Sequence, residues 1–125
     1  MTRYAMIAVG GALGALARYA LGGLVQEFAG ARFPYGTLVV NVSGCLVMGV
    51  VMTLLTERGV VHPSWRFLVP IGFIGAYTTF STFEYETFRA LEQGGWLIAL
   101  ANVMVSVGAG FAAVAAGVLG TRALL

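Results

Sequence analysis

The sequence is poor in charge. Its 125 residues include no lysine and no aspartate, because all seven basic residues are Arg and all five acidic residues are Glu. Charged residues make up 10% of the chain and hydrophobic residues 59%, and the mean hydropathy is +0.90. A soluble domain usually carries about 25% charged residues. The composition therefore excludes an ordinary soluble domain and indicates an integral membrane protein.

The scarcity of charged and reactive side chains also limits partners and chemistry. A net charge of +2 is too small and too dispersed for a nucleic-acid partner, which needs a clustered basic face. The single cysteine, Cys45, cannot form an intrachain disulfide. The single histidine, His62, lies in a polar turn without the partners that a metal or proton-transfer site requires. With no nucleophile–base–acid set and no phosphate-binding loop, the sequence gives no support for an enzyme.

Long apolar runs dominate the rest of the chain. A membrane-spanning helix needs about 20 mostly apolar residues. Four segments meet this condition: Arg3–Phe28, Gly36–Thr56, Trp65–Arg89 and Gly95–Arg122. Because nothing is left over for a soluble domain, we predict an all-α integral membrane protein, with residues 1–125 forming one four-helix transmembrane domain. Four helices can hardly enclose an aqueous path, so we expect an oligomer.

The third apolar segment is a poor continuous helix. Pro70 removes a backbone donor and Gly75 has low helix propensity, so the helix should bend or break near Gly75. The hydroxyl residues that follow favour N-cap positions, so a second half-helix can begin near Thr78 or Thr79. Non-helical backbone at membrane depth persists only where protein, water or an ion satisfies it. The break is therefore a candidate ion site.

Two aromatic residues and two carboxylates follow this break. Phe80 and Phe83 are three residues apart and lie on one helix face, an arrangement that usually means packing. Their position beside a polar break favours a pore lining instead. Glu84 and Glu86 come in the next turns, and we expect them near the membrane interface, paired or solvated, with Arg89 three residues after Glu86.

The other segments carry isolated polar residues. Arg18 shares a face with Gly10, Gly14 and Gly22, which are suited to close helix packing. Arg18 itself either snorkels to the interface or lines an anion-attracting vestibule. Asn41, in the middle of the second segment, either joins helices by hydrogen bonding or contributes to a polar lining.

The fourth segment presents two stripes of small and polar residues. Asn102, Ser106 and Gly110 recur every four residues, and Ala109, Ala113 and Gly117 form the second stripe. One stripe can pack against another helix while the other lines an ion path.

Three motifs then stand together. They are GGALGALARY at residues 10–19, GTLVVNVSG at residues 36–44 and GFIGAYTTFSTF at residues 72–83. In this order on four helices they resemble the Fluc family of fluoride channels, also called CrcB, over essentially the whole chain. Ala76 and Tyr77 depart from that pattern, in which Gly and a plain apolar or aromatic residue are more common.

The resemblance implies a fluoride-selective passive channel that exports fluoride across the cell (inner) membrane and gives fluoride resistance. It also implies a dual-topology homodimer, in which two identical chains lie antiparallel and two fluoride pores follow the subunit interface. Fluoride is strongly hydrated, so such a pore must replace water with hydrogen-bond donors. The positive edge of a phenyl ring can also face an anion.

The resemblance also implies roles for particular residues. It assigns the fluoride pore to Asn41, Phe80, Thr82, Phe83, Asn102 and Ser106. Arg18 corresponds to a vestibule arginine. The backbone carbonyls of Gly75 and Thr78 correspond to those that hold a structural sodium ion at the dimer axis. Such an ion would satisfy exposed backbone and raise the local positive potential.

The arginines favour neither membrane orientation strongly. Four of them fall on one side of the predicted topology and two on the other: Arg3, Arg58, Arg66 and Arg122 against Arg32 and Arg89. This bias is weak, so insertion in both orientations is permitted.

Two other functions compete with a channel. A small multidrug-type proton-coupled antiporter needs a membrane-embedded carboxylate, whereas the first segment has only Glu27 at its end and carries Arg18 instead. A structural subunit without conduction would explain the small-residue stripes, but not Asn41, Arg18 or the break.

Overall fold

The chain folds into helices joined by short loops. The structure is a computed structural model that describes residues 2–57, 59 and 61–125. Its helices are α1 (Thr2–Ala29), α2 (Tyr35–Thr56), a π-helix (Phe67–Ile74), α3 (Gly75–Tyr77), α4 (Phe80–Glu92) and α5 (Trp96–Leu124). The prediction of an all-helical protein is confirmed. Arg58, which entered the comparison of arginines, lies outside the described residues.

Three helices are long and apolar enough to cross a membrane: α1, α2 and α5. Each is a continuous helix of mainly apolar residues, and a helix satisfies the backbone hydrogen bonds of its interior within itself, as a lipid environment requires.

The third apolar segment has an unusual backbone around Pro70. Proline has no N–H and its ring displaces the preceding turn, which widens the helix. The N–H of Gly75 accordingly donates to the carbonyl of Pro70, five residues back, and also to that of Gly72. Gly75 itself keeps helical angles, with φ −60° and ψ −33°. The wider turn accommodates Pro70, so the backbone stays helical at Gly75, where the sequence predicts a bend or break.

The interruption comes a few residues later. Thr78 (φ −76°, ψ 156°) and Thr79 (φ −149°, ψ 116°) have extended backbone between α3 and α4. Their position agrees with hydroxyl residues that compete for backbone hydrogen bonds. The chain therefore leaves the helical path for two residues and resumes it at Phe80.

Glycines allow the helices to approach closely. A Cβ atom added at Gly14 of α1 would collide with the main chain of Phe73, and one at Gly36 of α2 would collide with the main chain of Gly22. Packing is therefore the role of the glycine face of α1, as the sequence indicates.

The packing of α2 on α5 follows the same principle. A Cβ at Gly49 would collide with the Val114 carbonyl, and one at Gly117 with the Leu46 carbonyl. Gly110, which belongs to the other stripe of α5, is also buried. Both stripes of α5 therefore have members inside the chain.

One side chain organises the loop between α1 and α2. Gln26 donates from Nε2 to the carbonyls of Gly30 and Phe33, and its Oε1 accepts from the N–H of Gly36 at 3.0 Å. Gly30 has a φ of 87°, the left-handed conformation that commonly ends a helix. The loop is thus fixed beside the first turn of α2.

Candidate functional site

Asn41 holds the extended backbone between α3 and α4. Its Nδ2 donates to the Thr79 carbonyl at 3.0 Å, and the Thr79 N–H donates to its Oδ1 at 2.7 Å. Thr79 is buried, and a buried backbone group without a partner costs about 1–3 kcal/mol. The amide of one side chain therefore replaces two hydrogen bonds that an uninterrupted helix would have made.

Hydroxyl groups form hydrogen bonds at both ends of the interruption. The Thr78 hydroxyl donates to the Ile74 carbonyl at 2.9 Å, and Thr79 caps α4 by accepting from the N–H of Thr82 at 3.3 Å. The Thr79 hydroxyl also donates to that of Thr82 at 3.0 Å. On the α2 side, the hydroxyls of Tyr77 and Ser43 lie 2.7 Å apart. Tyr77, one of the two residues that depart from the pattern of the resemblance, is thus anchored to α2.

Phe80 and Phe83 occupy the first turn of α4 in different environments. Their ring centroids are 5.8 Å apart, and the ring planes are inclined at 44°. Phe80 is 74% exposed within the single chain, whereas Phe83 is only 6% exposed. The two rings touch, but only Phe80 opens onto the surface of the chain.

A mainly apolar cavity of about 280 Å³ adjoins the interruption. It is lined by Asn41, Gly44, Cys45, Met48, Ile74, Thr78, Thr79, Phe80 and Val114. The exposed ring of Phe80 and the clamped backbone of Thr79 therefore face the same space.

A second, more polar cavity of about 380 Å³ lies on the other side of Thr79. Its charged lining residues are Arg18 and Glu86, and Thr37 and Thr82 contribute hydroxyl groups. Arg18 of α1 is half-buried, so its guanidinium does not simply extend into solvent. Arg18 lines this cavity, and its vestibule role stays a prediction.

Glu86 is the residue that the sequence interpretation missed. Its Oε1 accepts a hydrogen bond from the Thr37 hydroxyl at 2.9 Å. Its Oε2 is buried and has no hydrogen-bond partner among the residues that the structure describes. Within the described part of the chain, Glu86 therefore has one bonded and one unpartnered oxygen, Arg89 pairs with Glu92 at 3.0 Å, and the expected place of Glu86 near the membrane interface stays a prediction. The spacing of Thr79, Thr82 and Glu86 along one helix face was the available signal.

The polar residues of α5 form a separate internal chain of hydrogen bonds. Ser106 donates to Asn102 Oδ1 at 3.2 Å, and Asn102 Nδ2 donates to the Thr87 hydroxyl at 2.9 Å. Thr87 then donates to the Phe83 carbonyl at 2.8 Å. Asn102 is only 2% exposed. Asn102 and Ser106 are thus connected to the Phe83 backbone, but they line neither of the two cavities.

Comparison with known proteins identifies the family. The family model described as "CrcB-like protein, Camphor Resistance (CrcB)" matches residues 5–118. The chain belongs to the CrcB-like family.

Similar proteins match the chain over nearly its whole length. A protein named "Fluoride-specific ion channel FluC" from Solibacter usitatus is 56% identical over 120 residues, which cover 96% of this chain and 98% of that protein. Its namesake from Acidobacterium capsulatum is 50% identical, with coverage of 96% and 97%. Another, from Geobacter sp. strain M21, is 48% identical, with coverage of 99% and 100%.

Membership of the CrcB-like family agrees with the three long apolar helices. The protein is a multi-pass integral membrane protein of the cell membrane, and α1, α2 and α5 are its candidate spans.

The Gly75 carbonyl fits the structural sodium ion that the resemblance implies, and the role of the Thr78 carbonyl stays a prediction. The usual helical donor to the Gly75 carbonyl is the N–H of Thr79, which donates to Asn41 instead. The last carbonyls of a helix need other partners, and Gly75 lies on the surface of the chain. Among the described residues, no cluster of His, Cys, Asp or Glu could hold a metal ion. Backbone carbonyls are suitable ligands for a hard cation.

Proposed function

We propose that this protein is a fluoride-selective passive channel that exports fluoride across the cell membrane and gives fluoride resistance. One observation carries the proposal: proteins named as fluoride-specific ion channels are 56%, 50% and 48% identical to this chain over nearly its full length. The geometry of the interruption supports it, since donors and an exposed aromatic ring are gathered there.

The channel works as an antiparallel homodimer of dual topology. The exposed residues of α4 include Phe80, Ser81, Thr82 and Glu84. Polar side chains on the lipid face of a spanning segment are costly, and they are found where a helix faces protein or a water-filled path. A second copy placed against α4 would cover this face and enclose the ion path. The segment from the π-helix to α4 then acts as one broken transmembrane helix.

Fluoride enters each pore through the cavity that contains Arg18. The guanidinium draws the anion in, and the Thr82 hydroxyl, which accepts from Thr79 and keeps its own proton, replaces part of its hydration shell. The ion then passes Phe80 and Phe83, whose ring edges carry partial positive charge. In a narrow apolar passage these edges favour an anion without binding it as tightly as a fixed cation would.

Asn41 contributes to the ion path chiefly by fixing the backbone beside it. Both polar atoms of its amide are bonded to Thr79, so the residue fixes the backbone from which α4 and its phenyl rings start. Asn102 and Ser106 support Phe83 from α5 through Thr87. In the dimer, Ser106 completes the polar lining from the half-buried side of α5.

A structural sodium ion would be held at the dimer axis by the backbone carbonyls of Gly75 and Thr78 from the two chains. When bound, the cation satisfies backbone that the interruption leaves exposed and adds positive potential near the pores.

Growth in fluoride tests the proposed function in cells. A bacterial strain without fluoride exporters should grow in fluoride-containing medium when it expresses this protein, and should not grow with an empty vector. Failure to restore growth, with the protein present in the membrane at normal levels, would contradict the proposal. Membrane fractionation and blotting provide that control.

A further inference from the structure

Two arginine side chains lie beside one aromatic ring, near the start of α1 and the start of the π-helix. Along the sequence, both are separate from the polar residues of the proposed pore. Arg3 is in the first turn of α1, and Arg66 directly precedes the π-helix that begins at Phe67. The Arg3 guanidinium carbon is 5.3 Å from the centroid of the Phe67 ring, and that of Arg66 is 4.9 Å from it. Both distances allow a cation–π interaction.

This arrangement places two like charges on one cavity. Arg3 and Arg66 are both exposed, and neither forms an ion pair with a carboxylate among the described residues. Glu57 pairs with Arg122, and Glu92 with Arg89. Because both arginines line the same cavity, an anion bound there would be attracted by both charges and would reduce their mutual repulsion.

The surface around the ring is concave and amphipathic. A cavity of about 270 Å³ is lined by Thr2, Arg3, Met6, Pro63, Ser64, Arg66 and Phe67. A neighbouring cavity of about 560 Å³ shares Thr2, Arg3 and Phe67 and adds Tyr4 and Ile7. The hydroxyls of Thr2 and Ser64 can donate to an anion that the arginines attract. Met6, Ile7 and Phe67 provide an apolar surface beside it.

We propose that Arg3, Arg66 and the Phe67 ring form a binding site for the phosphate group of an anionic phospholipid. The arginines lie at the ends of apolar segments, where the headgroups of a bilayer are found. Guanidinium groups bind phosphate through paired hydrogen bonds, and basic pockets between membrane helices bind anionic headgroups. The apolar lining accommodates the upper part of an acyl chain. A free phosphate ion would leave this lining uncovered.

Native mass spectrometry of the purified protein tests this site by titration with phosphatidylglycerol or phosphatidylcholine. The wild type should bind phosphatidylglycerol more tightly than phosphatidylcholine. The double variant Arg3→Gln/Arg66→Gln should weaken phosphatidylglycerol binding by roughly tenfold or more, since each surface arginine contributes on the order of a fivefold preference. The readout is lipid binding, so it does not depend on whether the protein conducts fluoride.

Two control variants separate the site from net charge and from folding. Arg32→Gln/Arg89→Gln removes the same charge elsewhere and should leave the affinity within about twofold of wild type. Arg3→Lys/Arg66→Lys keeps the charge but loses the paired guanidinium hydrogen bonds, so its affinity should lie between those of the wild type and the Arg3→Gln/Arg66→Gln variant. Equal loss of binding in the Gln and Lys variants, or in the two Gln pairs, would overturn the site. Displacement of the lipid by millimolar inorganic phosphate would show that the phosphate ion alone is the ligand, which would also overturn it.

Discussion

The side chain of Asn41 determines the backbone path at the centre of this protein. One amide both donates to and accepts from Thr79, so a single side chain satisfies both main-chain groups of a buried residue. Glu86 is the opposite case, because one of its oxygens is bonded to Thr37 and the other is buried without a partner among the described residues. A fully satisfied group supports structure, whereas an incompletely satisfied one in a cavity is available to water, to an ion or to a second chain.

Replacing Asn41 should therefore destabilise the protein. Asn41→Ala leaves the N–H and the carbonyl of Thr79 without partners, and we expect a loss of about 2–4 kcal/mol in the free energy of unfolding. The measurement is the melting temperature of the purified protein in detergent. Thr56→Ala is the control, because the exposed Thr56 hydroxyl is bonded only to its own helix. A melting temperature that falls no further for Asn41→Ala than for Thr56→Ala would contradict the clamp.

The two phenylalanines should respond differently to the same substitution. Phe83→Ile changes an enclosed ring and should cost about 1–2 kcal/mol of stability. Phe80→Ile changes a ring that is 74% exposed in the single chain, so the fold should be kept. If the Phe80 ring edge contacts fluoride, its loss should reduce fluoride efflux by roughly tenfold.

Efflux from liposomes and melting temperature, measured on the same samples, distinguish these effects. Leu46→Ile, on the exposed side of α2, controls for general damage. A folded Phe80→Ile dimer with wild-type efflux would assign this ring to packing.

At the scale of elements, composition and periodicity predicted the helices well. Long apolar runs predicted α1, α2 and α5, because spanning length and apolar character are local properties of the sequence. The hydroxyl-rich stretch also predicted that a second half-helix begins near Thr78 or Thr79, and Thr79 is its N-cap. The position of the interruption depended on partners from elsewhere in the chain. A π-turn at Pro70 keeps Gly75 helical, and Asn41 fixes the extended backbone at Thr79. Glu86 was missed for the same reason, since its environment is formed by α1 and α2.

The contact between α2 and α5 gives a test at this scale. Gly117→Ala places a methyl group against the main chain of α2, so we expect a loss of about 1–3 kcal/mol of stability. Gly108→Ala, on the same helix, is the matched control, because a Cβ there meets nothing within 4 Å and alanine favours a helix. Melting temperatures that change equally in the two variants would contradict close packing at Gly117.

At the scale of the whole molecule, the exposed surface of the single chain is the feature that bears on assembly. Its exposed α4 face combines polar groups with the Phe80 ring, and the Gly75 carbonyl has lost its helical donor. The proposed second, antiparallel copy would cover both features, and the weak arginine bias permits it. The number of helices predicted an oligomer, whereas the antiparallel arrangement rests on the resemblance, because the contacts between two chains leave little periodic signal within one.

Site-directed labelling tests the antiparallel arrangement. A cysteine introduced at Thr2, in a Cys45→Ser background, should react with a membrane-impermeant reagent from both sides of the membrane in one population of molecules. Labelling from one side only, in protein that retains its activity, would contradict dual topology. Accessibility of every molecule after detergent is added serves as the control.

Fluoride efflux from liposomes that contain only the purified protein tests the central claim most directly. With a potassium ionophore to balance charge, fluoride should leave the vesicles rapidly without a proton or sodium gradient, and chloride should be retained. Rapid, gradient-independent and chloride-excluding efflux is the result expected of a passive fluoride channel. Comparable chloride efflux, or fluoride efflux that requires a proton or sodium gradient, would contradict it.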